Sequence, residues 1–226
     1  VLQATQGQTL TIGGNLLMHG ASRVNVSLGA ASTGALVQVA GDLGLNGTLN
    51  VADQGGFGAG VYRLFDYNGT LTGNTMSVGA TPSGIDASDL RLQTAVGGQV
   101  NLLSTAGATL SFWDGSNAAQ RDNGLIDGGP GAWRADGMNW TDGDGAINGR
   151  FQPNPTFAVF QGAGGTVTVD DTVGAIGVTG MQIATDDYRI EGDPIALQGA
   201  AGESIIRVGT GMAASAGIRG TIASSL

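Results

Sequence analysis

Residues 37–51 read VQVAGDLGLNGTLNV, and one parity of that stretch is apolar or glycine throughout: Val37, Val39, Gly41, Leu43, Leu45, Gly47, Leu49 and Val51. Strict alternation marks a half-buried strand, because successive side chains leave the pleat on opposite faces. Fifteen residues at about 3.3 Å each would reach roughly 50 Å, far beyond a usual strand of about 5 to 6 residues. The chain must therefore bend without exchanging its faces. A two-residue hairpin at Asn46-Gly47 fails that condition, since it would set Leu49 and Val51 opposite the face of Leu43 and Leu45. A three-residue loop meets it, and so does a corner inside one coil of a solenoid, where the inward track stays inward.

The same alternation recurs. Leu90, Leu92, Thr94, Val96, Gly98, Val100 and Leu102 form a second series in constant phase. Shorter pieces follow at Val24/Val26/Leu28, Leu110/Phe112, Val167/Val169, Ile176/Val178, Tyr188/Ile190, Ile195/Leu197 and Ile206/Val208. Helical periodicity is close to absent, with glycine breaking nearly every window of ten. Many short alternating strands suit either antiparallel hairpins or a parallel solenoid. Spacing favours the solenoid: Val169 to Ile190 is 21 positions and Val178 to Leu197 is 19, a return of about twenty residues. Outward positions carry Gln, Asn, Thr and Ser, which form ladders when coils stack in register. The inward tracks, Val37, Val39, Leu43, Leu45, Leu49, Val51, Leu90, Leu92, Val100, Leu102, Val167, Val169, Ile190 and Leu197, are expected to build one continuous core.

Composition narrows the function classes. All nine basic residues are arginine, none clustered, and the formal charge is −9. A phosphate backbone has no basic patch to meet, so nucleic acid is not an expected partner. Zero cysteines remove disulfides, Cys-based metal sites and Cys nucleophiles. No apolar run approaches the roughly 18 residues of a membrane helix, and VLQATQGQTL has no basic n-region.

Residues 41–79 (GDLGLNGTLNVADQGGFGAGVYRLFDYNGTLTGNTMSVG), LSFWDG with the later NW, and residues 164–197 (GGTVTVDDTVGAIGVTGMQIATDDYRIEGDPIAL) resemble autotransporter passenger domains with their β-strand repeats, the bacterial type V secretion family. The resemblance implies an all-β fold, a right-handed parallel β-helix forming a single-stranded solenoid of about twenty residues per coil. It also implies export through the outer membrane, display on the bacterial surface or release from it, and an export signal and C-terminal translocator barrel beyond this stretch. Residues 1–112 and 151–226 would be two repeat units of coils, with 113–150 a Gly/Asp/Trp-rich loop excursion between them. Partners would be a host-surface glycan or protein and the chain's own translocator barrel. Open strand edges add a tendency to end-to-end self-association.

Three constellations could carry chemistry. Trp133, Trp140 and Asp136 offer aromatic faces beside a carboxylate, a candidate ligand-binding surface for sugar. The competing reading is that the tryptophans pin the excursion onto the coils, since large aromatics contribute most when buried, and the resemblance favours it because WDG and NW mark the change of unit. Asp142-Gly143-Asp144-Gly145 starts like a calcium loop, but position 153 is proline where an EF-hand needs its bidentate Glu, so an acidic turn is expected and no metal. Asp170-Asp171 and Asp186-Asp187 are adjacent carboxylates whose side chains diverge along a strand, unlike the facing pair of a glycosidase. His19, in MHGA, stands apart from any GxSxG or GDSG and reads as a surface residue in a turn. No catalytic residue and no cofactor are expected. The parity makes Leu45→Asp destructive and Asn46→Asp nearly silent.

Overall fold

The computed structural model describes residues 1–209 and 219–226. The chain is nearly all β and forms a parallel β-solenoid of about eight turns. It divides into two compact units, Val1–Thr94 with Gly98–Gly107, and Ala95–Gly97 with Ala108–Leu226. Residues 210–218 of the expected second repeat unit lie outside the described residues.

In the first unit, coil one carries β1 (Leu2–Thr5), β2 (Leu10–Ile12) and β3 (Leu16–Leu17). Coil two carries β4 (Arg23–Leu28), β5 (Val37–Val39) and β6 (Leu43–Gly44), and coil three carries β7 (Thr48–Asp53), β8 (Gly60–Tyr67) and β9 (Leu71–Thr72). A fourth begins with β10 (Ser77–Val78) and is followed by β11 (Leu90–Gln93) and β12 (Gln99–Ser104). Like strands stack into parallel sheets, β1-β4-β7-β10, β2-β5-β8 and β3-β6-β9. The register brings Leu2 beside Val24 and Val24 beside Leu49, so inward residues form continuous columns.

The corner at Asn46-Gly47 answers the parity problem of the sequence. Leu43, Leu45 and Leu49 are fully buried and Val51 is 4% exposed, all on one side of the bend. Gly47 turns the chain at φ +98°, and a Cβ there would lie 2.2 Å from the Ser22 carbonyl oxygen of the coil below, so only glycine fits. Each buried leucine contributes about 1.5–3 kcal/mol from burial. Polar side chains join the coils on the outside. The Asn50 amide donates to Asn25 Oδ1 at 2.9 Å, 25 residues away, and Asp42 accepts from the Thr70 amide, 28 residues on. Coils therefore average about 25 residues, longer than the twenty expected, because segments such as 29–36 and 54–59 run between strands.

Asn46 departs from its expected neutrality. Its Nδ2 donates to the Met18 carbonyl at 3.0 Å, 28 residues back, while its Oδ1 accepts from the Thr75 hydroxyl one coil further on. It clamps three coils at one corner.

The second alternating series is a different object from the first. β11 and β12 pair antiparallel with each other, and β12 pairs antiparallel with β8, so residues 90–104 close one sheet as a hairpin instead of adding a coil. Its loop, residues 94–98, has an odd length, which returns Val100 and Leu102 to the face of Leu90 and Leu92. Leu90, Val100 and Leu102 are buried and Leu92 is half-buried. A bulge where β12 meets β8 places both Leu64 and Phe65 in the core and turns Arg63 away from that cluster into a buried polar set with Gln93 and Asn101. Arg63 there donates to Asn101 Oδ1 at 2.9 Å and to Asp66 Oδ1 at 2.8 Å, and Asn101 in turn donates to Gln93 at 3.0 Å.

The second unit alternates two sheets. β13 (Leu110–Trp113) leads to β14 (Gly131–Arg134), followed by β15 (Trp140–Thr141) and β16 (Asn148–Gly149). Then come β17 (Thr156–Phe160), β18 (Thr166–Asp170), β19 (Ile176–Ile183), β20 (Tyr188–Gly192), β21 (Ile195–Leu197), β22 (Ile205–Val208) and β23 (Gly220–Ile222). β13, β17 and β19 stack in parallel with β21 and β22 beside β19, while β14, β18, β20 and β23 form the facing set. Residues 113–150 are thus more than an excursion, since β14 is a full member of a coil sheet.

Buried side chains gather in two clusters, one per unit, in place of the single continuous core expected. Val167, Val169 and Ile190 are buried as expected, with Val167 facing Ile190 in register. Leu197 is not a core residue: it pairs with buried Val178 but is 40% exposed, because β21 ends its sheet order and no described strand lies beyond it.

The packing makes two substitutions differ in degree. Leu45→Asp is expected to abolish folding of the first unit, since an unpaired buried charge costs several kcal/mol. Asn46→Asp removes the donor to Met18 and should cost about 1–2 kcal/mol. Urea denaturation midpoints check both; an unchanged midpoint for Asn46→Asp would show that the corner clamp is worth nothing.

Candidate functional site

The segment that holds all three tryptophans is built by folding β15 back on β13. Trp113 pairs with Trp140 and Phe112 with Thr141 in antiparallel register, and the Asp114 amide donates to the Asn139 carbonyl at 2.9 Å. The WDG and NW pieces of the sequence therefore meet each other. Asn139 completes the join: its Nδ2 donates to the Ala132 carbonyl and to Ser116 Oγ, and its Oδ1 accepts from Arg121 at 2.8 Å.

Trp113 and Trp133 are fully buried and Trp140 is 2% exposed. They pack into an aromatic cluster with Phe151 and Phe160. Trp133 and Trp140 ring centroids lie 4.8 Å apart, Trp113 meets Trp140 nearly edge-on at 5.3 Å, and Phe151 lies 4.4 Å from Trp140. Such contacts add about 0.5–1.5 kcal/mol each beyond burial. Trp113 Nε1 donates to the Gly129 carbonyl at 2.8 Å. A sugar stacks only on an exposed indole face, so Trp133 and Trp140 form no binding platform and pin the segment to the coils instead. A groove of about 200 Å³ along Leu110, Ser111, Thr141 and Ile147 has Trp140 in its wall without exposing it. Asp136, the third candidate, is exposed and ion-paired with Arg134 Nε at 3.0 Å, which holds its carboxyl below the usual range. The structure brings Trp133 and Trp140 together and leaves Asp136 outside their cluster.

Among the other carboxylates, Asp142, Asp170 and Asp186 accept structural hydrogen bonds. Asp142 Oδ1 accepts the amides of Asp144 and Ala146, both at 3.0 Å, the geometry of an acidic turn. Asp170 accepts from Arg134 Nη1 at 2.9 Å and from the amide of Thr172, and its hydrogen bonds to Thr172 do most to lower its pKa. Asp171 points the other way, its amide bonded to Asp193 Oδ2 at 3.1 Å; partial desolvation first, then the Asp193 carboxylate, raise its pKa. Asp186 accepts the Arg219 amide at 2.7 Å. His19 is exposed in a turn closed by Ser22. No group of three or more potential metal ligands occurs among the described residues.

One buried carboxylate of the segment is not among the candidate site residues. Asp114 is 1% exposed and accepts from the Asp127 amide at 2.7 Å and from Asn148 Nδ2 at 2.8 Å. Asn148 is also tied to Asp122 by a reciprocal pair of bonds. Burial raises the Asp114 pKa despite these donors. Nothing in the sequence sets Asp114 apart from the other turn aspartates except its place directly after the buried Trp113.

Two measurements follow from this geometry. Tryptophan fluorescence should be blue-shifted and resist iodide quenching, with no change on adding sugars; ready quenching would return Trp133 or Trp140 to the surface. Because the folded-state pKa of Asp114 lies above its unfolded value, its contribution to stability is full below the unfolded pKa of about 3.9 and is lost as pH rises through the folded one. The stability difference between wild type and Asp114→Asn should therefore shrink as pH rises through that window, measured by denaturant unfolding; a difference independent of pH would mean that Asp114 does not titrate there.

No protein-family model matches the chain, and no solved structure matches it. In sequence it is similar to the protein named Adhesin BmaC autotransporter of Brucella suis biovar 1 (strain 1330), with 48% identity over 185 residues. That alignment covers 78% of this chain, and the chain spans about 5% of the length of the curated relative it matches. By identity over most of its length and by its stacked parallel coils, the chain is a homologue of one segment of an autotransporter adhesin.

Proposed function

We propose that the chain is a non-catalytic segment of an autotransporter passenger, a surface-displayed or secreted β-helical scaffold of the adhesin type. The observation that carries this reading is the coincidence of 48% identity to an autotransporter adhesin with an in-register parallel solenoid. Stacked coils supply a rigid support from which loops reach a host glycan or protein. Of the adjacent carboxylates that could serve a hydrolase, Asp170 is held by Arg134 and the Thr172 amide and Asp186 by the Arg219 amide, which supports a scaffold over an enzyme. In the full-length protein the segment would reach the surface through its own C-terminal translocator barrel, and its coils would count among the β-strand repeats of that family. Self-association is part of the same proposal: β1, β2 and β3 pair on one side only, and Leu10 and Leu17 are 43% and 61% exposed.

Display tests the reading. With the gene expressed at full length in a Gram-negative host, antibodies raised against this segment should label intact cells, and external protease should remove the signal. Deletion of the segment should reduce adhesion to host-cell monolayers while the barrel remains in the outer membrane. Labelling confined to permeabilised cells would overturn the proposal.

A further inference from the structure

Outside the tryptophan segment, the first unit carries a groove of about 360 Å³ over β2, β5 and β8, lined by Thr11, Gln38, Val39, Ala40, Asp66 and Asn68. Three of these side chains form a row by register, Thr11 beside Gln38 and Gln38 beside Asp66 on successive coils. Several other outward amides of this unit join coils: Gln6 bonds Ala30, Gln54 bonds Ser27, Asn50 bonds Asn25 and Asn46 bonds Met18. The side chains of Thr11, Gln38 and Asn68 make no such bond among the described residues and keep their donors and acceptors free. Asp66 is fixed at the β8 end of the row by Arg63 at 2.8 Å, which cancels its charge and leaves its second oxygen as an acceptor. The Asn68 amide, bonded to the Val39 carbonyl at 3.1 Å, holds the wall in place beside exposed Ala40, while the Val39 side chain turns into the core.

We propose that this groove binds a neutral glycan chain laid across the strands. The row presents hydroxyl, amide and carboxylate in turn, a mixture of donors and acceptors that suits a ligand carrying both on every unit, as a polyol does. Its repeat is the strand spacing of about 4.8 Å, close to the advance of one ring in an extended β-linked hexose polymer. One sugar can therefore meet each coil. A peptide would need a free sheet edge to pair its backbone, and this row lies on a sheet face. An acidic glycan would meet no unpaired cation in the groove, on a chain of net charge −9. The inference goes beyond the scaffold reading and does not need it: display tests that reading, and oligosaccharide binding tests this one.

The experiment is isothermal titration of the purified chain with hexasaccharides of β-1,4-linked glucose, mannose and N-acetylglucosamine, and with a hexuronate of equal length. At least one neutral hexasaccharide should bind at one per chain, more tightly than the hexuronate. Gln38→Leu should weaken it by about tenfold through loss of a hydrogen-bond partner. Gln3→Leu, on a different sheet, should leave binding unchanged, with both variants melting as the wild type does. Absence of binding by all three neutral sugars at millimolar concentration, preference for the hexuronate, or equal binding by Gln38→Leu would each overturn the proposal.

Discussion

Register between coils is the constraint from which the rest follows. A parallel strand is satisfied only when the strand above and the strand below present their amides and carbonyls at matching heights, and the inward columns form only when that match holds. Leu2, Val24 and Leu49 are one such column, and Leu16, Leu43 and Leu71 another. A slip of one residue would turn every leucine outward and every asparagine inward. Hydrophobic burial and polar laddering therefore select the same register.

The polar ladders explain a composition that is unusual for a folded chain. With no lysine and few glutamates, the outer surface is served by Asn, Gln, Thr and Asp whose partners lie one coil away. Short side chains lose little rotamer freedom when fixed. Asn46 shows the arrangement at full use, bonded to the coil before and the coil after.

The fold was largely legible in the sequence, and its exceptions have definite causes. Parity located Leu43, Leu45, Leu49 and Val51 around their corner because each position depends only on local alternation. Direction is another matter. An odd-length loop and a solenoid corner preserve parity equally well, so Leu90 to Leu102 looked like a coil and is a hairpin. Val178 and Leu197 pair as their spacing predicts, yet Leu197 stays exposed because burial depends on what lies beyond the strand. The candidate site was less legible. Trp133 and Trp140 carry the same residue letters whether they face solvent or core, and the role of Asn46 depends on Met18 and Thr75, which are distant in sequence.

The hairpin that ends the β2-β5-β8 sheet has a consequence for the direction of its edge. Its outermost strand, β11, is short, runs antiparallel to β12 and so in the same direction as β8, and carries exposed Arg91. Two reversals cancel, so direction alone does not bar a further parallel strand from this edge; the shortness of β11 and the exposed charge of Arg91 are what discourage one.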